Sequence, residues 1–110
     1  MIYALHITQT AERDLNSAVN YIEHVLLNPQ AADDLLNETE IKLSSLTNFP
    51  EKFSLVDDPV LKAWGIRFVS IKNYLAFYVV SEQEQTVYFV RFLYSKRDWV
   101  SILKKGFSFD

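Results

Sequence analysis

A chain of 110 residues, 49% hydrophobic and 23% charged, suits one globular domain over residues 1–110 and excludes a disordered or fibrous protein. The absence of cysteine excludes disulfides and thiolate metal sites, and two glycines with three prolines leave little room for flexible linkers. At a net charge of −3, no apolar run approaches the roughly 20 residues of a bilayer span and no basic start leads into a secretory leader, so a cytoplasmic protein is expected.

Residues 2–7 alternate weakly and predict a short strand. Thr8 or Thr10 then caps a helix, because a hydroxyl at that position accepts an orphan backbone N–H. Ala11, Leu15, Ala18, Val19, Ile22 and Leu26 recur at helical spacing and form one apolar stripe. Asn28-Pro29 stops this helix and starts a second, with asparagine as cap and proline at the first helical position. Ala32, Leu35, Leu36, Leu43 and Leu46 mark its apolar face, and Asn48-Phe49-Pro50 ends it. Two such helices joined by a short turn predict an antiparallel hairpin.

Residues 51–64 read as irregular, with a turn at Asp57-Asp58-Pro59 and a short strand at Phe53 to Val56. Strands are expected near 65–72, 74–81 and 86–94, the last two joined by the polar connection Ser81-Glu82-Gln83-Glu84-Gln85. Simple alternation in the last strand puts Val87, Phe89, Arg91 and Leu93 on one face, and Tyr88, Val90, Phe92 and Tyr94 on the other. Both faces are then apolar and both need cover. The helical hairpin covers one; the C-terminal segment, a dimer mate or another protein must cover the other. Tyr88, Phe92, Phe107 and Phe109 are the residues that need it. Ser95 or Asp98 caps a short last helix held down by Trp99, Ile102 and Leu103. The charge is divided: residues 1–61 carry three bases against ten acids, whereas residues 62–105 carry eight bases against three acids. The basic second half suits an anionic partner.

Specific residues recur in this order of elements. Ile7-Thr8, Ala11 with Asp14-Leu15, Tyr21-Ile22, Leu27-Asn28-Pro29 with Ala31-Ala32, Leu46 and Phe49-Pro50 make up the first half. Gly65-Ile66-Arg67, Asn73-Tyr74 with Phe77-Tyr78, and Arg91-Phe92-Leu93-Tyr94 leading to Arg97-Asp98-Trp99 make up the second. Together they resemble the RelE/ParE toxin superfamily over nearly the whole chain. The resemblance implies an α+β fold, β-α-α-β(3–4)-α, with the helical hairpin packed on a mainly antiparallel twisted sheet. It implies the toxin of a type II toxin–antitoxin, or plasmid stabilisation, module, neutralised by a cognate antitoxin and either monomeric or a homodimer. RelE-like members cleave messenger RNA on the ribosome, and ParE-like members inhibit DNA gyrase. A decayed toxin that keeps only antitoxin binding is a third alternative. RNA-cleaving members often carry an arginine after the tyrosine of the penultimate strand and a histidine near the end of the last. Here Tyr74 is followed by Leu75, and residues 93–97 hold no histidine.

Cleavage of RNA by 2′-OH attack needs proton transfer and positive charge on the phosphorane. Arg67, Arg91 and Arg97 are the expected source of that charge and Tyr94 the expected proton relay, although a phenol with a pKa of about 10 is a poor base by itself. Lys72 and Lys96 are expected to hold substrate. For each arginine the alternative is structural: an edge-strand charge at Arg67, an ion pair with a helix acid at Arg91, helix-start chemistry at Arg97-Asp98. His6 and His24 are expected in structural or solvated roles. No His/Asp/Glu set has metal-ligand spacing, and no cofactor is expected. As a gyrase inhibitor the protein would instead use the hairpin or the sheet surface, with no chemistry of its own.

Overall fold

The computed structural model describes residues 2–110. Strand β1 spans Ala4–Ile7, helix α1 Gln9–Asn20, α2 Pro29–Ser45, α3 Pro59–Ala63, β2 Ile66–Ile71, β3 Tyr74–Ser81, β4 Thr86–Tyr94 and α4 Trp99–Lys104. The four strands form one sheet in the order β1-β4-β3-β2. β1 runs parallel to β4, and the other neighbours are antiparallel. The α+β architecture expected from the sequence is therefore present.

Side-chain caps fix where the helices begin. The Thr8 hydroxyl accepts from the Ala11 amide at 3.3 Å and donates to the Phe89 carbonyl at 2.8 Å, tying α1 to β4. Asn28 caps α2 by accepting from Ala31 at 3.1 Å, with Pro29 as its first residue. Asp98 caps α4 by accepting from Ser101. The region expected to be irregular contains α3, which Asp58 caps by accepting from Val60 and Leu61. Both hydrogen bonds favour the ionised form of Asp58, and Lys104 lies 3.3 Å away. The Leu61 amide is the main cause of a pKa below the usual value, with Lys104 assisting. The strand expected at Phe53 to Val56 is reduced to one bridge between Leu55 and Arg67, which shields part of the outer edge of β2.

The hairpin of α1 and α2 covers one face of the sheet, α1 over β4 and α2 over β2. That core joins Ala11, Leu15, Leu35 and Leu43 to Val69, Tyr78, Phe89 and Phe92. Each large side chain fully buried there contributes about 1.5–3 kcal/mol. The second core lies on the opposite face, where α3, α4 and the segment after α4 cover Ile66, Phe77, Val90 and Leu93. Of the covers expected for that face, the C-terminal segment is the one observed. Trp99 packs on Phe77, Phe107 on Trp64, and Phe109 edge-on to Tyr88.

Simple alternation fails within β4. Pairing runs Phe77 with Arg91 and then Tyr78 with Phe89, so Val90 is an extra residue. This bulge reverses the alternation beyond it. Phe92 joins the hairpin-side core and is 2% exposed, while Leu93 joins the other. Phe92, expected to need outside cover, is thus covered by the chain's own hairpin.

Candidate functional site

The sheet ends in a small aromatic surface. Tyr74 at the start of β3 pairs with Tyr94 at the end of β4. The Tyr74 ring stacks on Phe92 at 5.0 Å and meets Tyr94 edge-on at 5.6 Å. Burial and the neighbouring phenols Tyr21 and Tyr94 raise the Tyr74 pKa, so its hydroxyl stays protonated at neutral pH. Above these rings, the end of α1 does not continue as an α-helix. Tyr21–Val25 form a π-helical turn, closed by the Leu26 amide donating to the Tyr21 carbonyl at 3.0 Å. The wider turn rotates the following residues out of the α-helical register. Leu26, expected in the buried stripe, is consequently exposed, and Leu27 takes a left-handed backbone at φ 53°. Tyr21, Ile22 and Leu26 from this turn and Asn73, Tyr74 and Tyr94 from the sheet enclose a cleft of about 530 Å³.

The basic residues expected to act together are distributed differently. Arg91 sits in the bulge and points to α1, where Asp14 receives its Nε at 2.7 Å and its Nη2 at 3.1 Å. The same carboxylate accepts from the Phe92 amide at 3.0 Å, beyond the point where β1 stops pairing. One acid therefore neutralises the arginine and closes an open stretch of β4. Arg67 donates from Nη1 to the Phe53 carbonyl at 2.7 Å, which holds residues 53–56 against the sheet edge. Lys72, in the β2–β3 turn, lies 3.3 Å from Glu38 of α2, which also meets Lys42 at 3.6 Å. Lys96 and Arg97 follow β4 in an exposed turn held to the cleft by two amide bonds, Ser95 to the Asn73 carbonyl and Arg97 to that of Tyr94. Among the described residues neither makes an ion pair.

The structure thus brings Tyr94, Lys96 and Arg97 together beside the cleft, with Lys72 at its far side. It puts Arg91 and Arg67 into contacts of their own. His6 lies elsewhere and contacts the Asp110 carbonyl, whereas His24 is on the π-helical turn beside the cleft, exposed and paired with Glu23. Asp14, Tyr21 and Asn73 shape this region without having been singled out for a role in it. Asp14 carried a legible signal, since an acid three residues after Ala11 falls within the apolar stripe of α1. Among the described residues no cluster of three or more His, Asp or Glu is suited to a metal ion.

The sequence matches the family model described as the ParE toxin of the type II toxin–antitoxin system parDE, over residues 5–99. The chain belongs to the ParE toxin family. No curated protein matches it. Two solved structures share its fold. The chromosomal ParDE toxin–antitoxin system of P. aeruginosa aligns with a TM-score of 0.69 at 16% identity, covering 86% of this chain and 98% of that one. The toxin–antitoxin complex RelBE2 of Mycobacterium tuberculosis aligns with a TM-score of 0.59 at 19% identity, covering 86% of this chain and 99% of that one. Among the described residues of this ParE-family toxin, no helix is long and apolar enough to cross a membrane.

Proposed function

We propose that this toxin is neutralised by a cognate antitoxin protein and arrests growth by binding DNA gyrase rather than by cleaving RNA. The observation that carries this reading is the commitment of its basic residues. Arg91 is held by Asp14, Arg67 by the Phe53 carbonyl and Lys72 by Glu38. A phosphorane-stabilising site needs cations converging on one point, with groups that take and give a proton beside them. His6 lies away from the cleft, His24 is exposed on the turn above it and pairs with Glu23, and burial raises the pKa of the Tyr74 phenol in the cleft. Membership of the ParE family supports the same reading, as does the absence of arginine after Tyr74. The antitoxin is supported by the neighbouring folds, both of them solved as toxin–antitoxin systems. A cytoplasmic location follows from either target.

One observation favours a second reading, a ribosome-dependent endoribonuclease: Tyr94, Lys96 and Arg97 stand exposed at one end of the sheet. In that reading Lys96 and Arg97 hold phosphate and Tyr94 stacks on a base or relays a proton. Expression in a bacterial host separates the two. The gyrase reading predicts growth arrest, relaxation of a reporter plasmid and intact transcripts, with relief on co-expression of the neighbouring gene. New transcript ends without loss of supercoiling would establish the nuclease instead.

A further inference from the structure

A cavity of about 730 Å³ lies at the end of the sheet away from the tyrosine cleft. Three segments border it: Tyr3 ahead of β1, residues 48–52 after α2, and Glu82 in the β3–β4 turn. Hydrogen bonds hold each of them. The Tyr3 amide donates to the Thr47 carbonyl at 2.8 Å, the Lys52 amide to the Phe49 carbonyl at 3.1 Å, and the Glu84 amide to the Ser81 hydroxyl at 3.2 Å. The walls are therefore set by the fold, as in most small-molecule sites.

Two aromatic side chains line the cavity, and among the described residues neither contacts another ring. Tyr3 is half-buried against the hairpin-side core, which fixes its ring. Phe49 is 69% exposed although its backbone is tied down, its amide donating to the Ser45 carbonyl at 3.3 Å. Glu51 and Glu82 add a carboxylate from each of two loops, and among the described residues neither makes an ion pair. Glu84 of the same turn is instead occupied by the Tyr88 hydroxyl at 2.8 Å. Lys52 also lines the cavity, with its Nζ 5.3 Å from the Phe53 ring centre. The lining thus carries two negative charges against one positive. An aromatic ring attracts an ammonium group and packs on its alkyl chain, whereas a magnesium ion keeps its water and gains little from the ring. Carboxylates on two separate loops suit more than one ammonium group on a single chain.

We infer that this cavity binds a linear aliphatic polyamine, with its methylene chain against Tyr3 and Phe49 and its ammonium groups at Glu51 and Glu82. The site shares no residue with the tyrosine cleft, so its occupancy is independent of either proposed target. A bound polyamine would join the loop after α2 to the β3–β4 turn and raise the melting temperature through binding to the folded state alone.

The test is calorimetric titration of the full chain with spermidine at low ionic strength. Saturable binding at one site is expected. It should weaken about tenfold in Glu51→Gln/Glu82→Gln and about threefold to tenfold in Phe49→Leu, which keeps apolar bulk and removes the ring. Lys52→Gln should bind more tightly, because a competing cation is gone. These side chains are exposed, so the variants should melt with the wild type in the absence of ligand, and lost binding would not reflect unfolding. N-acetyl-lysine amide, with one ammonium group, should bind about tenfold more weakly than spermidine. Equal binding would assign the cavity to a lysine side chain of another protein and overturn the polyamine. Absence of saturable binding would overturn the site. So would displacement of spermidine by magnesium chloride at equal charge together with wild-type affinity in Phe49→Leu, since the carboxylates would then be attracting counterions only.

Discussion

Asp14 makes three hydrogen bonds to β4, and its removal separates a structural Arg91 from one that serves the target. Asp14→Ala leaves a guanidinium and the Phe92 amide without a partner. Breaking a fully buried ion pair costs about 3–5 kcal/mol, because the remaining charge is stranded. Here the two side chains keep 19% and 16% of their surface, so water compensates in part. An unpaired buried amide adds about 1–3 kcal/mol. We therefore expect a loss of about 2–4 kcal/mol, large against the roughly 5–15 kcal/mol that stabilises a small domain. Arg91→Ala should cost less, about 1–3 kcal/mol, since Asp14 keeps its bond from Phe92. Urea unfolding of both single variants and the double variant measures their coupling, expected at about 1–2 kcal/mol. Additive losses within about 0.5 kcal/mol would refute a structural pair. Asp14→Leu with Arg91→Met, an apolar replacement, should restore much of the stability and leave growth arrest intact. A folded double variant without toxicity would place Arg91 at the target.

Four further outcomes follow from the geometry. The Tyr78 hydroxyl is buried near the Phe53 carbonyl and makes no hydrogen bond of good geometry among the described residues, so Tyr78→Phe should be neutral or stabilising by up to about 1–2 kcal/mol in urea unfolding. Burial raises the Tyr78 phenol above its usual value of 10, so the unfolded chain loses that proton first and wild-type stability should fall as pH rises past about 10; Tyr78→Phe should reduce the slope, and an unchanged slope would contradict the assignment. Asp58 and Asp98 titrate below their usual 3.8, mainly through hydrogen bonds from Leu61 and Ser101 respectively, so the stability they add is present above about pH 4 and is lost as acid protonates them; Asp58→Asn should flatten the acid limb of a pH–melting profile. Leu27→Gly removes the left-handed penalty, partly offset by greater freedom of the unfolded chain, and should stabilise the protein by about 0.5–1 kcal/mol, a rise of a few degrees in melting temperature; a fall would mean that Leu27 is not strained.

The helical hairpin was legible because its signals are local. Thr8 and Asn28 lie beside the helices they cap, and both apolar stripes repeat at the helical period. The bulge at Val90 was not legible. An extra residue shows only where an alternating pattern breaks, and β4 is apolar on both faces. The π-helical turn escaped for a related reason: Ile22 and Leu26 continue an ideal helical stripe, and only the backbone reveals that the phase has slipped. Helix α3 is five residues long, too short for periodicity, so Asp58-Pro59 read as a turn although the same pair also opens a helix. The candidate site was least legible. Its residue types could be named, but Arg91 and Asp14 lie 77 residues apart, and no local pattern shows that one occupies the other.

The central claim is that the protein blocks gyrase without chemistry of its own. Its most direct test is the supercoiling of relaxed plasmid by purified gyrase, titrated with the purified toxin and then with the product of the neighbouring gene. The account predicts dose-dependent loss of supercoiling that the neighbouring product reverses. Undiminished supercoiling, at toxin concentrations where the same preparation cleaves messenger RNA on ribosomes, would contradict it.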